Sequence, residues 1–183
     1  MIKIFNIKSI ITWDTDKDYL TVLKNKKIYI ENDKIVTISE KDLNVESEID
    51  ACNTIITPGF IDCHTHPIFN NSRSNDFKLR ASGKSYQEIN DSGGGINSSV
   101  ESLRKINESD LYEKCLSRMD TFLFNGTTTI EAKSGYGLTL IDEVKSLNVI
   151  KKINKNHILD LVPTFLGAHS IPVEFKNNKK GYI

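Results

Sequence analysis

The chain has 183 residues, 38% of them apolar, and its 24 Lys+Arg balance its 24 Asp+Glu to a formal charge of zero. No run approaches the ~20 continuous apolar residues that cross a bilayer, and no basic-then-apolar leader follows Met1. A zero balance argues against a phosphate-binding surface, so neither membrane nor nucleic acid is an expected partner, and a cytoplasmic location is expected.

Cys52, Cys63 and Cys115 are odd in number and form no C-x-x-C, which gives neither a disulfide framework nor a thiolate zinc site. Lysines outnumber arginines twenty to four, so Arg73, Arg80, Arg104 and Arg118 each warrant a look. In chain order, residues 1–57 read as short β-strands. Lys3–Ile7 alternates, Leu20–Leu23 is β-rich, and Lys27–Ile30 and Ile35–Ile38 flank a polar turn. A hairpin needs a second layer, so this leader is expected to be part of a small β-sandwich.

From Ile55 an apolar run ends in Asp62-Cys63-His64-Thr65-His66, the pattern of a buried parallel strand with polar chemistry at its C-terminal end. Pro67–Asn97 has no strong periodicity and reads as a long binding loop or lid. Gly93-Gly94-Gly95 within it lacks the spacing of a phosphate loop. A helix capped by Ser109 or Asp110 carries Leu111, Cys115, Met119 and Phe122 at helical spacing and stops at Gly126. Gly126–Lys133 is a second strand. A helix capped by Thr139 bears Leu140, Val144, Leu147 and Ile150, and Leu159–Leu166 is a third strand. Alternating strands and helices imply a parallel α/β domain over residues 58–183. Only 126 residues follow residue 57, whereas a closed eight-stranded β/α barrel takes about 250. The expected fold is therefore a partial (β/α) barrel of about three strands, at the front of a longer protein; a small independent α/β domain is the competing reading.

The period-2 pleat puts Phe60, Asp62, His64 and His66 on one face, with Ile61, Cys63 and Thr65 turned toward covering helices. Two imidazoles converging at a strand end can hold a divalent metal. Lys133 reads as a structural partner of Glu131 on the second strand, and His157, in a polar run, as a surface residue.

Thr57-Pro58-Gly59-Phe60-Ile61-Asp62-x-His64-x-His66 resembles the first-strand signature of the amidohydrolase superfamily, metal-dependent hydrolases with a distorted β/α barrel and an attached β-sandwich. Further motifs are similar to the imidazolonepropionase family of histidine degradation. They include Ser72-Arg73-Ser74-Asn75-Asp76-Phe77, Gly83-Lys84-Ser85-Tyr86, Lys133-Ser134-Gly135-Tyr136-Gly137 and Phe165-Leu166-Gly167-Ala168-His169. The resemblance implies that His64 and His66 are ligands of zinc or iron, and that Arg73, Tyr86, Tyr136 and His169 contact the substrate. The reaction it implies is hydrolysis of 4-imidazolone-5-propanoate to N-formimidoyl-L-glutamate. It places the remaining metal ligands and the proton-transfer groups on later strands, leaving this chain without a catalytic acid or base and inactive alone, and it implies a homodimer for the full-length protein. Two other readings stay open: the front of another amidohydrolase, such as a cyclic-amide hydrolase or deaminase, or a non-catalytic remnant or split half.

Overall fold

The computed structural model describes all 183 residues, which form two compact units, Met1–Pro58 and Gly59–Ile183. In the first unit, β1 (Ile2–Phe5) lies between β4 (Lys27–Glu31) and β6 (Ser47–Asp50), and β5 (Lys34–Ser39) extends the sheet in the order β5-β4-β1-β6. A second sheet has the order β3-β2-β7, built from β2 (Ser9–Asp14), β3 (Tyr19–Leu23) and β7 (Ile55–Ile56). The expected β4–β5 hairpin turns at Asn32 and Asp33, both at positive φ, the conformation a two-residue I′ turn requires. Tyr29 is fully buried, and its hydroxyl donates to the Lys41 carbonyl at 2.8 Å.

The apolar run from Ile55 to His66 is not one strand. β7 pairs with β2 in the first unit, whereas β8 (Phe60–Thr65) begins the second. Pro58 supplies no N–H and ends the pairing; a Cβ on Gly59 would collide with the Thr128 side chain.

In the second unit, β8, β9 (Thr127–Lys133) and β10 (Asp160–Thr164) form a parallel sheet with β9 in the middle. Thr65 lies opposite Ala132 and Lys133 opposite Thr164, so the three strands end at one level. One face of β9 buries Ile130 and Ala132 completely. That face packs with α4 (Glu108–Phe124) and α5 (Leu140–Asn156) through Leu111, Cys115, Met119, Val149, Ile150 and Ile153, each large side chain contributing about 1.5–3 kcal/mol.

Several local expectations need correction. Pro67–Asn97 is not a bare loop: it holds α1 (Ser74–Ala81), α2 (Tyr86–Asp91) and the start of α3 (Gly95–Lys105). No residue of α1 is buried, so it has no apolar stripe to read. α2 is only six residues long and is started by a capping box in which Ser85 and Glu88 satisfy each other's backbone N–H. The cap of α4 is Asn107, whose side chain accepts from Asp110 N; neither Ser109 nor Asp110 serves. Thr139 does cap α5, but Leu140 is 74% exposed and Val144 is also exposed. The buried face instead runs through Glu143, Ser146, Val149, Ile150 and Ile153. Ile61 and Cys63 are exposed rather than covered by helices, since β8 is an edge strand.

The three thiols differ accordingly. Cys115 is fully buried and its burial pushes the thiol pKa up, whereas Cys52 and Cys63 are exposed. Because the thiolate is the reactive form, a disulfide reagent at pH 8 is expected to titrate two thiols rapidly in the folded chain and the third only on unfolding. Three equally fast thiols would contradict the packing of α4.

Candidate functional site at the strand ends

Because β8, β9 and β10 end together, the residues just beyond them meet. His64 lies on β8 and His66 one residue past it, with ring centroids 5.9 Å apart. The His66 ring is 5.3 Å from Tyr136, which follows β9, and 4.6 Å from His169, which follows β10. Tyr136 and His169 are 6.0 Å apart, edge to face. Four of the six residues singled out in the sequence thus share one cluster. The other two, Arg73 and Tyr86, line a separate groove of about 240 Å³ with Asp76, Phe77 and Arg80.

Backbone contacts tie the cluster together. Thr65 Oγ1 donates to the Glu131 carbonyl at 2.6 Å, fastening β8 to β9. His66 Nδ1 lies 3.1 Å from the Ser134 carbonyl oxygen. A carbonyl can only accept, so Nδ1 carries the proton and Nε2 presents its lone pair. Burial lowers the pKa of His66, and the neighbouring His169 lowers it further, so the ring is neutral near pH 7. Arg118, on α4, fixes the chain just past the two histidines: its guanidinium donates to Pro67 O at 2.8 Å and Phe69 O at 3.1 Å and stacks 3.6 Å from the centre of the Phe69 ring.

The Ser134–Leu138 loop is held as tightly. Ser134 N donates to Thr164 O at 3.0 Å, and Ser134 Oγ accepts from Leu166 N at 3.0 Å, which joins the ends of β9 and β10. Gly135 has φ of +120°, and a Cβ there would stand 2.9 Å from the His169 Cβ. The buried Glu143 carboxylate accepts from Gly135 N, Gly137 N and Leu138 N, and Arg104 donates to Gly137 O at 2.8 Å.

Lys133 pairs with Glu131, as its position suggested, and Thr164 Oγ1 donates to the same carboxylate at 2.8 Å. The Lys133 ammonium holds the Glu131 carboxyl below the usual range, with Thr164 adding to the effect. His157 is not a surface residue: its side chain is 10% exposed, accepts from Leu159 N at Nδ1 and faces Asp120 at 3.2 Å through Nε2.

Glu143 escaped the sequence reading because the apolar spacing chosen for α5 excluded it; a stripe through residues 143, 146, 150 and 153 would have found it. Arg104 and Arg118 carried a signal in the scarcity of arginine.

As a metal centre the cluster is incomplete. No group of three or more His, Cys, Asp or Glu side chains is placed to hold an ion. His64 and His66 nevertheless fit as part of a ligand set: both are imidazoles at one strand end, and the Ser134 carbonyl orients His66 as an outer-shell partner orients a metal-binding ring.

No protein-family model matches the chain. Among solved structures, a mutant of the atrazine chlorohydrolase TrzN from Arthrobacter aurescens TC1, complexed with zinc and atraton, matches with a TM-score of 0.55 at 21% identity, covering 90% of this chain and 35% of that one. A prolidase complexed with N-methylphosphonate-L-proline matches with a TM-score of 0.55 at 14% identity, over 90% of this chain and 31% of that one. These likenesses speak for the mixed α/β fold alone. Curated relatives include the imidazolonepropionase of Geobacillus sp. (strain WCH70), 40% identical over 173 residues, 90% of this chain and 41% of that protein. That of Thermoanaerobacter pseudethanolicus is 40% identical over 98% of this chain and 46% of its own length, and that of Vibrio vulnificus 45% identical over 77% and 35%. The resemblance carried by the strand-end motifs therefore holds: over most of its length this chain is a relative of the imidazolonepropionases, and it spans less than half the length of those it matches.

Proposed function

We propose that the chain is the N-terminal portion of an imidazolonepropionase, with residues 1–57 part of a β-sandwich and residues 58–183 the first strands of an amidohydrolase (β/α) barrel. The observation that carries this reading is the convergence of His64, His66, Tyr136 and His169 beyond three parallel strands, since barrel enzymes build their sites at that end. The open edges of β8 and β10 and the exposed Ile61 and Val162 support a sheet that continues.

In this reading His64 and His66 hold a zinc or iron ion together with ligands from the rest of the protein. The bound ion supplies acidified water, a nucleophile at neutral pH. The reaction adds water to the ring carbonyl of 4-imidazolone-5-propanoate and breaks the adjacent C–N bond to give N-formimidoyl-L-glutamate. Tyr136 and His169 hydrogen-bond the ring; the resemblance assigns the propanoate carboxylate to Arg73 and Tyr86, which line a groove of their own in this chain. A cytoplasmic location and a homodimer of the full-length protein belong to the same proposal.

The test joins this chain to the remaining part of the Geobacillus sp. (strain WCH70) relative. The chimera is expected to hydrolyse imidazolone propanoate, and the 183-residue chain alone to do nothing. Turnover by the isolated chain at the chimera's rate would refute the reading, as would a folded, metal-loaded chimera that acts only on other cyclic amides or on amines. In the active chimera, Arg73→Ala is expected to raise KM roughly tenfold to a hundredfold, the range for a hydrogen bond to a charged group. An unchanged KM would take Arg73 out of the substrate site.

A further inference from the structure

We propose that Glu143 is the positioning residue for Tyr136: its buried carboxylate gathers the N–H groups of the Tyr136 loop and sets the ring against His66. This rests on the proposed function in assigning Tyr136 to the substrate. Tyr136 stands between Gly135 and Gly137, the two residues that most need an outside restraint, since glycine has the largest backbone freedom to lose. The restraint on the donor side is Glu143. It is 1% exposed and accepts from Gly135 N at 2.7 Å, Gly137 N at 2.8 Å and Leu138 N at 2.7 Å. On the acceptor side Arg104 takes Gly137 O at 2.8 Å and Leu138 O at 3.3 Å, and its other arm reaches Glu174 at 2.8 Å, beyond His169.

Charge-assisted bonds of this kind are about twice as strong as neutral ones, and the first turn of α5, where Glu143 sits, favours an anion through its helix dipole. A carboxylate can accept from all three amides at once. A glutamine keeps the shape but turns one acceptor into a donor aimed at an N–H. The acidic side chain that accepts from the loop's backbone amides is Glu143, so these N–H groups are held from α5, outside the cluster itself.

The experiment uses the 183-residue chain with Glu143→Gln and Glu143→Asp. Hydrogen exchange at Gly135, Gly137 and Leu138 is expected to speed up roughly tenfold to a hundredfold in E143Q. The NMR cross-relaxation between the Tyr136 and His66 rings should disappear while the methyl signals of Ile130, Ile150 and Ile153 hold their places. E143D, which keeps the charge, is expected to restore most of the ring contact. Binding of imidazole-4-propanoate to the chimera, read by titration calorimetry, should weaken in its E143Q variant by the same factor. If the chimera carrying wild-type Glu143 does not bind that probe, the substrate assignment fails, and the ring contact and exchange rates in the 183-residue chain still decide the role of Glu143. An unaltered Tyr136–His66 contact in E143Q would overturn the proposal. Should E143Q fail to fold, the wild-type exchange rates decide: unprotected amides at all three positions would overturn it, and slow exchange, together with a retained contact in E143D, would support it.

Discussion

Substituting His66 by alanine in the active chimera is expected to lower kcat/KM by about a thousandfold or more, because a metal-assisted nucleophile accounts for several kcal/mol of barrier and each ~1.4 kcal/mol is a factor of ten. His66 stands at the centre of the cluster, within 6 Å of the rings of His64, Tyr136 and His169. Its removal deletes a ligand candidate and the contact that binds the end of β8 to Ser134. The stability of the chain should fall by about 1–3 kcal/mol, since His66 is half-buried and its loss removes the partner of the carbonyl of Ser134, a residue only 2% exposed. Metal content and turnover measured together check the result. Full metal occupancy with a tenfold loss or less would mean that His66 orients the loop without ligating.

Gly135→Ala is expected to destabilise the second unit by about 3 kcal/mol, combining the strain of a non-glycine residue at positive φ with overpacking. At φ +120° a methyl group would lie 2.9 Å from His169 Cβ and 3.2 Å from Leu166 O. Neither neighbour can yield cheaply: Leu166 N is bonded to Ser134 Oγ, and His169 is packed on His66. Urea denaturation monitored by circular dichroism checks the loss. The same substitution pushes His169 away from His66, so the site should suffer even where the fold survives. A variant as stable as the parent would show that the close approach relaxes at no cost.

How much of this was legible in the sequence varies by element. β9, β10, α4 and most of α5 were readable because each buries one face, and burial imposes a period. The helices between Pro67 and Asn97 were not, since α1 buries nothing and α2 rests on the Ser85–Glu88 box rather than on an apolar stripe. The boundary at residues 57 and 58 is readable, but the division of the Ile55–His66 run into β7 and β8 is not, because an apolar run looks alike whether it serves one sheet or two. In the site, His64, His66, Tyr136 and His169 could be named in advance from motifs at strand ends. That Arg73 and Tyr86 would line a groove of their own could not, because loop paths are not encoded by periodicity. The anchors Glu143, Arg104 and Arg118 act on backbone atoms, and a sequence does not display which carbonyl or amide a distant side chain will meet.

The bond from Thr65 to Glu131 and the contact from His66 to Ser134 span 66 and 68 residues of chain, whereas β9, α5 and β10 follow one another directly. Closing the longer loop costs more entropy, so β8 is the natural last arrival on a core that α4, β9, α5 and β10 can begin without it. During synthesis the two histidines emerge well before the carbonyl that orients one of them. In the proposed function, an ion captured in the final geometry would therefore report that the most distant strand has come home, which would couple its uptake to the end of folding rather than to its start.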